Sequence, residues 1–443
     1  MRLPGKITRY TLACLGGFCF FLSALEYMVP KPLPFIRLGL ANLPLLLALD
    51  IMSFPSFMLL AALKIIGQAL ISGALFSYVF LFSLGGTGIS AVIMYALRRG
   101  LGKEKISLAG ISVAGALASN GVQLILAYFF IFGDSIRYAA APILALGLVT
   151  GTLLGIAGEY FIRQSQWYRR MEDPAGAPHH VLPLITKDST QWRKGTKGNP
   201  GFEKPDRISA PLRRREIKSK IGCFRITRNE FCMKTFSSGE LALAGLCMIP
   251  ALLIKSDAVT RIIQFLFFWA LAWLSGKKNN PLITLSVIAG IVFFNLLVPY
   301  GEVLLSIGPL KITSGALRNG IIRAVTLEAL FMLSRCCVRR DLAFPGTFGE
   351  IIGESFRFFA RLGEDKNLIT PKNWIRNLDE LLIIYGEKSF PAENETAAEN
   401  IEPGKAETCP PRLSGRTFCP RIILIVTVIL AWLPLLITAL PLR

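Results

Sequence analysis

The chain is short of charge and carries few of the residue patterns that soluble enzymes use. Charged residues make up 18% of its 443 positions, against about 25% in an average soluble protein. Mean hydropathy is +0.50. There is no G-x-x-x-x-G-K-[ST] run, so ATP has no P-loop, and Gly195–Gly201 lacks the spacing. No two aspartates are adjacent, so the magnesium–diphosphate site of a prenyl synthase has no candidate residues. H-E-x-x-H and G-x-S-x-G are also missing. The nine cysteines are odd in number and form no C-x-x-C, which speaks for reduced thiols over a disulfide framework or a zinc site. The only histidines, His179 and His180, lie between Pro178 and Pro183 and read as an exposed pair. Catalysis, a metal and a cofactor are therefore not expected.

What is present is apolar sequence in long runs. Between Glu26 and Arg98 only Lys31, Arg37, Asp50 and Lys64 interrupt it. A membrane helix needs about 20 mostly apolar residues. Such stretches fall at roughly 11–29, 35–52, 54–74, 76–97, 107–132 and 139–162, then at 239–254, 259–275, 281–298, 316–334 and 421–440. The predicted fold class is an all-α polytopic membrane protein. Arg2, Lys6 and Arg9 before Thr11–Leu25 imitate a signal peptide, but no small-x-small cleavage site follows, so a retained first helix is expected.

The formal charge of +20 is a topology signal. Residues 163–234 hold 17 Lys and Arg against 7 Asp and Glu, a surplus of 17 − 7 = 10 in one connector. With the N-terminus inside, this connector, the turn Arg98–Lys105, Lys277-Lys278 and Arg335 with Arg339-Arg340 all fall on the inner side. Lys31 and Arg37 fall outside and are the exception. A multi-pass inner-membrane location surrounded by lipid is expected, and nucleic acid is not.

Polar groups inside the spans are expensive and mark candidate sites. The candidate substrate-binding residues are Arg37, Asn42, Lys64, Gln68, Asn120 and Gln123. Asn120 and Gln123 share one helix face, as do Lys64 and Gln68. The amides either line a pocket or clamp two helices together. Lys64 lies too deep to snorkel and is expected to meet Asp50, a carbonyl or an anionic ligand. Gly67, Ser72, Gly73 and Ala74 permit close helix approach, and Gly85-Gly86-Thr87-Gly88 reads as a tight turn. Farther on, Phe348, Ile351, Ile352, Phe356 and Phe359 form one helical stripe flanked by Glu350, Glu354, Arg357 and Arg361. That helix either rests on the membrane or its own domain, or docks in a partner's groove through Phe348, Ile352, Phe356, Phe359 and Arg361. Residues 389–412 read as a disordered tether.

Three stretches resemble one membrane family: Arg37-Leu-Gly-Leu-Ala-Asn42, Phe82-Ser-Leu-Gly-Gly86 leading to Ser90 and Met94, and Ser119-Asn120-Gly-Val-Gln123-Leu. It is the heptaprenyl diphosphate synthase component I, or Gx transporter, family, and the resemblance covers about residues 10–165. Ser119 stands where the family usually has His, and Lys64 where an Arg is common. That family is similar in layout to the solute-binding S components of energy-coupling factor importers. The stretch Gly308-Pro-Leu-Lys-Ile-Thr313-Ser-Gly315, with Arg323 and Ser334-Arg335, resembles more weakly the transmembrane T component of the same importers.

Together these readings imply a six-helix S-like domain at 1–165, a basic connector at 166–236 and a T-like membrane domain at 237–336. A cytoplasmic segment at 337–420 and a last span at 421–443 complete the chain. The implied function is import of a small hydrophobic or vitamin-like solute, driven by separate ATPase subunits. The alternative is a membrane-bound accessory subunit serving a soluble prenyl diphosphate synthase in isoprenoid and quinone biosynthesis.

Overall fold

A computed structural model describes residues 6–28, 39–172, 236–254, 257–277, 280–307, 310–339, 342, 344–364, 378–380, 382–383 and 418–439. The chain is an all-α polytopic membrane protein, with one short β-hairpin among the described residues. In the first half the helices are α1 (Lys6–Met28), α2 (Leu43–Ala48), α3 (Phe54–Ser72), α4 (Tyr78–Lys105), α5 (Leu108–Ala127), α6 (Ile136–Gln164) and the short α7 (Gln166–Glu172). In the second they are α8 (Ser238–Leu253), α9 (Ala258–Leu274), α10 (Pro281–Leu296), α11 (Ser314–Cys337), α12 (Gly346–Glu364) and α13 (Phe418–Ala439). Strands β1 (Val303–Ile307) and β2 (Leu310–Thr313) pair antiparallel between α10 and α11. Among the described residues, three helical stretches are long and apolar enough to cross a membrane: Phe54–Ser72, Tyr78–Lys105 and Leu108–Gln164. The last of these turns back near Gly133, whose φ is +56°.

Local sequence sets the helix starts. Ser107 Oγ accepts from Gly110 N at 3.1 Å and opens α5. Glu240 accepts from Ser237 N at 3.3 Å in a capping box that opens α8. Pro55 and Pro281 sit in the first turns of α3 and α10, where a missing N–H costs nothing. Two expectations need correction. The second apolar stretch yields only a 3-10 turn at Leu40–Asn42 and the six-residue α2, with 29–38 outside the described residues. Gly85, Gly86 and Gly88 lie inside α4 and make no turn. A Cβ at Gly86 would meet Gln123 Nε2 and Ser119 Oγ at 2.8 Å, so this glycine lets α5 approach.

Small residues bring other helices together in the same way. On α6, a Cβ at Gly151 would lie 3.1 Å from Val113 Cα, and one at Gly155 2.3 Å from Ala109 Cα. With Gly147 they form a four-residue repeat that lets α5 and α6 pack backbone to backbone. On α1, a Cβ at Gly17 would lie 2.5 Å from Phe358 Cβ, so the glycines admit α12. The apolar stripe of α12 enters the first core here, with Ile351, Ile352, Phe358 and Leu362 buried beside Leu12, Leu15 and Phe18. The Phe20 and Phe356 rings stand 4.8 Å apart.

The chain then caps its own earlier helix. Asp379 accepts from Gln166 N at 2.9 Å, from Trp167 N at 3.1 Å and from Ser165 Oγ, supplying the start of α7. Trp167, Tyr168, Leu378 and Leu382 are buried around it. In the turn after α2, Asp50 is gripped by Arg98 of α4 with two bonds of 2.8 and 2.6 Å, and Lys103 lies 3.6 Å away. Burial pushes the Asp50 carboxyl up, but Arg98 and then Lys103 outweigh it and hold it below the usual aspartate value.

The second half has its own cluster, with Met248, Leu252, Phe268, Ala272, Leu333 and Ala431 at its centre. Arg261 of α9 is buried there and donates to Ala251 O at 3.2 Å, to Ile254 O and to Gln264 Oε1 at 2.9 Å. Its charge thus meets the negative end of α8. The halves join where Val287, Ile291 and Leu327 pack on Phe82, Ile131 and Phe132. Asn295 Nδ2 donates to Ile131 O at 3.3 Å across that seam.

Two outcomes follow. Gly17→Val is expected to lever α12 off α1 at a cost of about 1–3 kcal/mol; limited trypsinolysis should then cut at Arg357 or Arg361 faster than in the unaltered protein. Asp50→Asn is expected to cost about 1.5–3 kcal/mol at pH 7. Because the folded pKa is depressed, this stabilisation exists above the unfolded value and fades as pH falls through the folded one. Thermal unfolding should therefore show the gap between variant and parent closing in acid.

Candidate solute-binding site

The polar residues that the sequence singles out in the first half converge because two helices and one turn present them to the same space. Asn42 comes from the 3-10 turn before α2, Lys64 and Gln68 from α3, and Asn120 and Gln123 from α5. All five line one cavity among α1 to α6, with about 40 Å³ of free volume. That is room for roughly three waters at about 10–15 Å³ each. Arg37 lies outside the described residues.

Lys64 is 4% exposed, and its ammonium donates to Asn42 Oδ1 and to Thr87 Oγ1 at 3.4 Å. Asp50, one of the three partners expected for Lys64, is committed instead to Arg98 and Lys103. The reason is distance along the helices: Asp50 follows the last turn of α2, whereas Asn42 precedes the first and faces mid-α3. The amides of α5 do both things the sequence allows. Asn120 Nδ2 donates to Ile143 O of α6 at 3.0 Å, an interhelical clamp, while its side chain also walls the cavity. Gln123 Nε2 donates within its own helix to Ser119 Oγ at 2.9 Å.

Several lining groups escape the sequence reading. Thr87 and Ser90 of α4, Ser112 and Ser119 of α5 and Thr150 of α6 add hydroxyls. Ser90 and Ser119 carry a signal only as members of the resembling motifs, and the others, single hydroxyls in apolar helices, give no periodic signal. Glu26 also lines the cavity and is 2% exposed. It was readable as the first charge after Arg9 in α1, but its place near the helix end disguises it as an interfacial residue. Apart from Lys64 and Glu26, the polar part of the lining is amide and hydroxyl, and Leu46, Met94 and Leu154 are its larger apolar members.

The residues expected to couple to a partner sit elsewhere. Ile352 is buried, and Phe348, Phe356 and Phe359 pack partly buried on the α1 core. The groove that the stripe enters is thus supplied by this chain's own α1. Glu350, Arg357 and Arg361 remain exposed on the outer face of α12.

Fold and cavity define a multi-pass helical membrane protein with a buried polar site in its first half. That half matches a known family: residues 15–161 fit the family model described as heptaprenyl diphosphate synthase component I. Residues 240–340, from α8 through α11, match a family described as a domain of unknown function. No curated protein and no solved structure matches the chain.

The two amides separate by experiment. Asn120→Ala removes a clamp and is expected to lower unfolding stability by about 1 kcal/mol. Gln123→Ala breaks only a bond inside α5 and should lower it by less. Thermal unfolding of the purified variants checks this, and equal losses would make both residues purely structural.

Proposed function

We propose that the chain is the membrane part of an importer of the energy-coupling factor type, in which the first half binds a small solute and the second half is a T-like scaffold. The observation that carries this is the polar cavity around Lys64, at a depth where an apolar bundle has no structural need for so many hydrogen-bonding groups. Asn42, Lys64, Gln68, Asn120 and Gln123 are its binding residues, and Arg37 is assigned to the same site from its motif. Glu26 and Gly39 flank the return between α1 and α2, at the helix ends away from the basic turn Arg98–Lys105. With basic loops inside, that orientation turns the cavity toward the outer side, as capture from outside requires.

Coupling is assigned to α12. It follows α11 in sequence yet packs on α1, so motion imposed on the second half reaches the solute-binding half through one rigid element. The exposed Glu350, Arg357 and Arg361 are the face left for separate ATPase subunits. The description of the matched family favours a second reading, in which the chain is an accessory subunit beside a soluble prenyl diphosphate synthase.

Purification in mild detergent followed by mass spectrometry of co-eluting proteins and small molecules decides between them. The importer predicts an ATPase pair and a retained solute, and Lys64→Met should lower that solute at least tenfold while the ATPases still co-elute. A prenyl synthase with D-D-x-x-D and an isoprenoid diphosphate in their place would overturn the importer.

A further inference from the structure

We infer that the β1–β2 hairpin is a lipid anchor, lying flat in the headgroup–acyl boundary of the membrane at the far end of α10. Its seat there is independent of what the first half binds. Val303, Leu304 and Leu305 of β1 are 56%, 59% and 54% exposed, and Tyr300 just before them is 47% exposed. Directly paired residues of two strands share a face, and neighbours along one strand face opposite ways. Val303 pairs with Thr313 and Leu305 with Ile312, with Leu304 inserted between them. Val303 and Leu305 therefore point to opposite faces, and both are open. A ribbon of two strands cannot cover either face by itself.

The exposure is fixed by the fold, because the base of the hairpin is closed. Gly301 takes a left-handed φ of +84°. Ser314 N donates to Glu302 O at 2.9 Å, and Tyr300 N donates to Thr313 Oγ1 at 3.0 Å. A Cβ at Gly315 would lie 2.5 Å from Tyr300 Cε2, so the ring rests on the start of α11. A protein partner would cover one face or add a strand to one edge. Lipid surrounds a ribbon on both faces, and the lipid-facing surface runs along the helix that leads to it: Leu282, Ile283, Leu285 and Phe293 of α10 are each more than half exposed. The backbone sets the depth. Each strand leaves an outer edge of N–H and C=O groups that hydrocarbon cannot satisfy. At the boundary, water and phosphate oxygens reach these edges, and the polar tips of Tyr300, Glu302 and Lys311, all exposed, suit headgroups. β2 runs directly into α11, whose Ser334 Oγ accepts from Phe76 N at 2.9 Å and whose Arg323 donates to Ile131 O at 3.4 Å. The hairpin thus seats in lipid the helix that grips two turns of the first half.

The test uses the full chain in phosphatidylcholine nanodiscs. Val303→Trp and Leu305→Trp place one reporter on each face, and the fluorescence of the parent is subtracted. At an interfacial depth of about 5–10 Å, lipids brominated near the headgroup end of the acyl chain should quench both added tryptophans about twofold or more. Lipids brominated near the chain end should quench less, and acrylamide in the water hardly at all. Unquenched tryptophans open to acrylamide would put the hairpin in water and overturn the inference. Unquenched tryptophans shielded from acrylamide would mean that protein covers it, a second copy or a partner, and would overturn it too. So would quenching on one face alone, or stronger quenching by bromines at the chain end. The unaltered chain gives a second measurement. Phosphatidylcholine with a diazirine near the headgroup end of its acyl chain should leave photo-adducts on residues 303–306. Labelling of α10 without any adduct on those residues would overturn the anchor with no variant involved.

Discussion

A lysine ammonium half way along an apolar helix has to be met by oxygen, and the first half is arranged around that demand. An unmet Lys at the centre of a membrane helix costs about 2.5–3.5 kcal/mol on insertion scales. Here Lys64 is met by Asn42 at the head of a broken second span and by Thr87 of α4. The break follows from this arrangement. Asn42 stands in a 3-10 turn before α2, where its side chain can reach sideways to α3. Around the pair the hydroxyls and amides of α4, α5 and α6 extend one polar pocket through an otherwise apolar bundle.

Polar groups can gather there only because the helices around them come very close. Gly86 admits the Gln123 and Ser119 side chains, and Gly147 admits that of Asn120, whose Nδ2 would lie 2.1 Å from a Cβ at that position. Glycine therefore performs two tasks in α6. Its repeat brings the α5 backbone into contact, and the same lack of side chains leaves space for an amide to turn inward. Apolar packing and the polar site are properties of one set of contacts, which is why Asn120 is both clamp and wall.

Most helices were legible, because a run of about twenty apolar residues between charged turns has few other readings in water or lipid. The spans starting near residues 54, 107, 239, 259 and 281 begin where Ser53, Ser107, Ser237, Asp257 and Asn280 precede them. The second span was misjudged because hydropathy cannot see a helix broken to aim a side chain. The run Gly85–Gly88 was misread because glycines clustered in a chain look like a turn whether they serve backbone freedom or helix contact. At the candidate site, the amides and Lys64 stood out as polar residues in apolar surroundings, and the structure brings five of them together. The hydroxyls did not stand out, since Ser and Thr are tolerated anywhere in a membrane helix. Partner choice was the least legible: the sequence left Lys64 open to Asp50, a carbonyl or an anionic ligand, and the fold gives it the amide oxygen of Asn42 while Asp50 goes to Arg98.

The path of the chain after α11 has a consequence for how the two halves can exist apart. Residues 344–383 lie in sequence between two helices of the second half, yet Ile351, Phe358, Leu378 and Leu382 belong to the core of the first. The chain then returns as α13 to the cluster that holds Ala431. The halves are laced, not strung in series. A cut in the basic connector would divide the sequence but not the fold, because residues 1–172 would lose the helix that covers Gly16 and Gly17 and the carboxylate that caps α7. The two halves are thus inherited as one indivisible piece, and neither can be exchanged for another module without rewriting a stretch that both of them own.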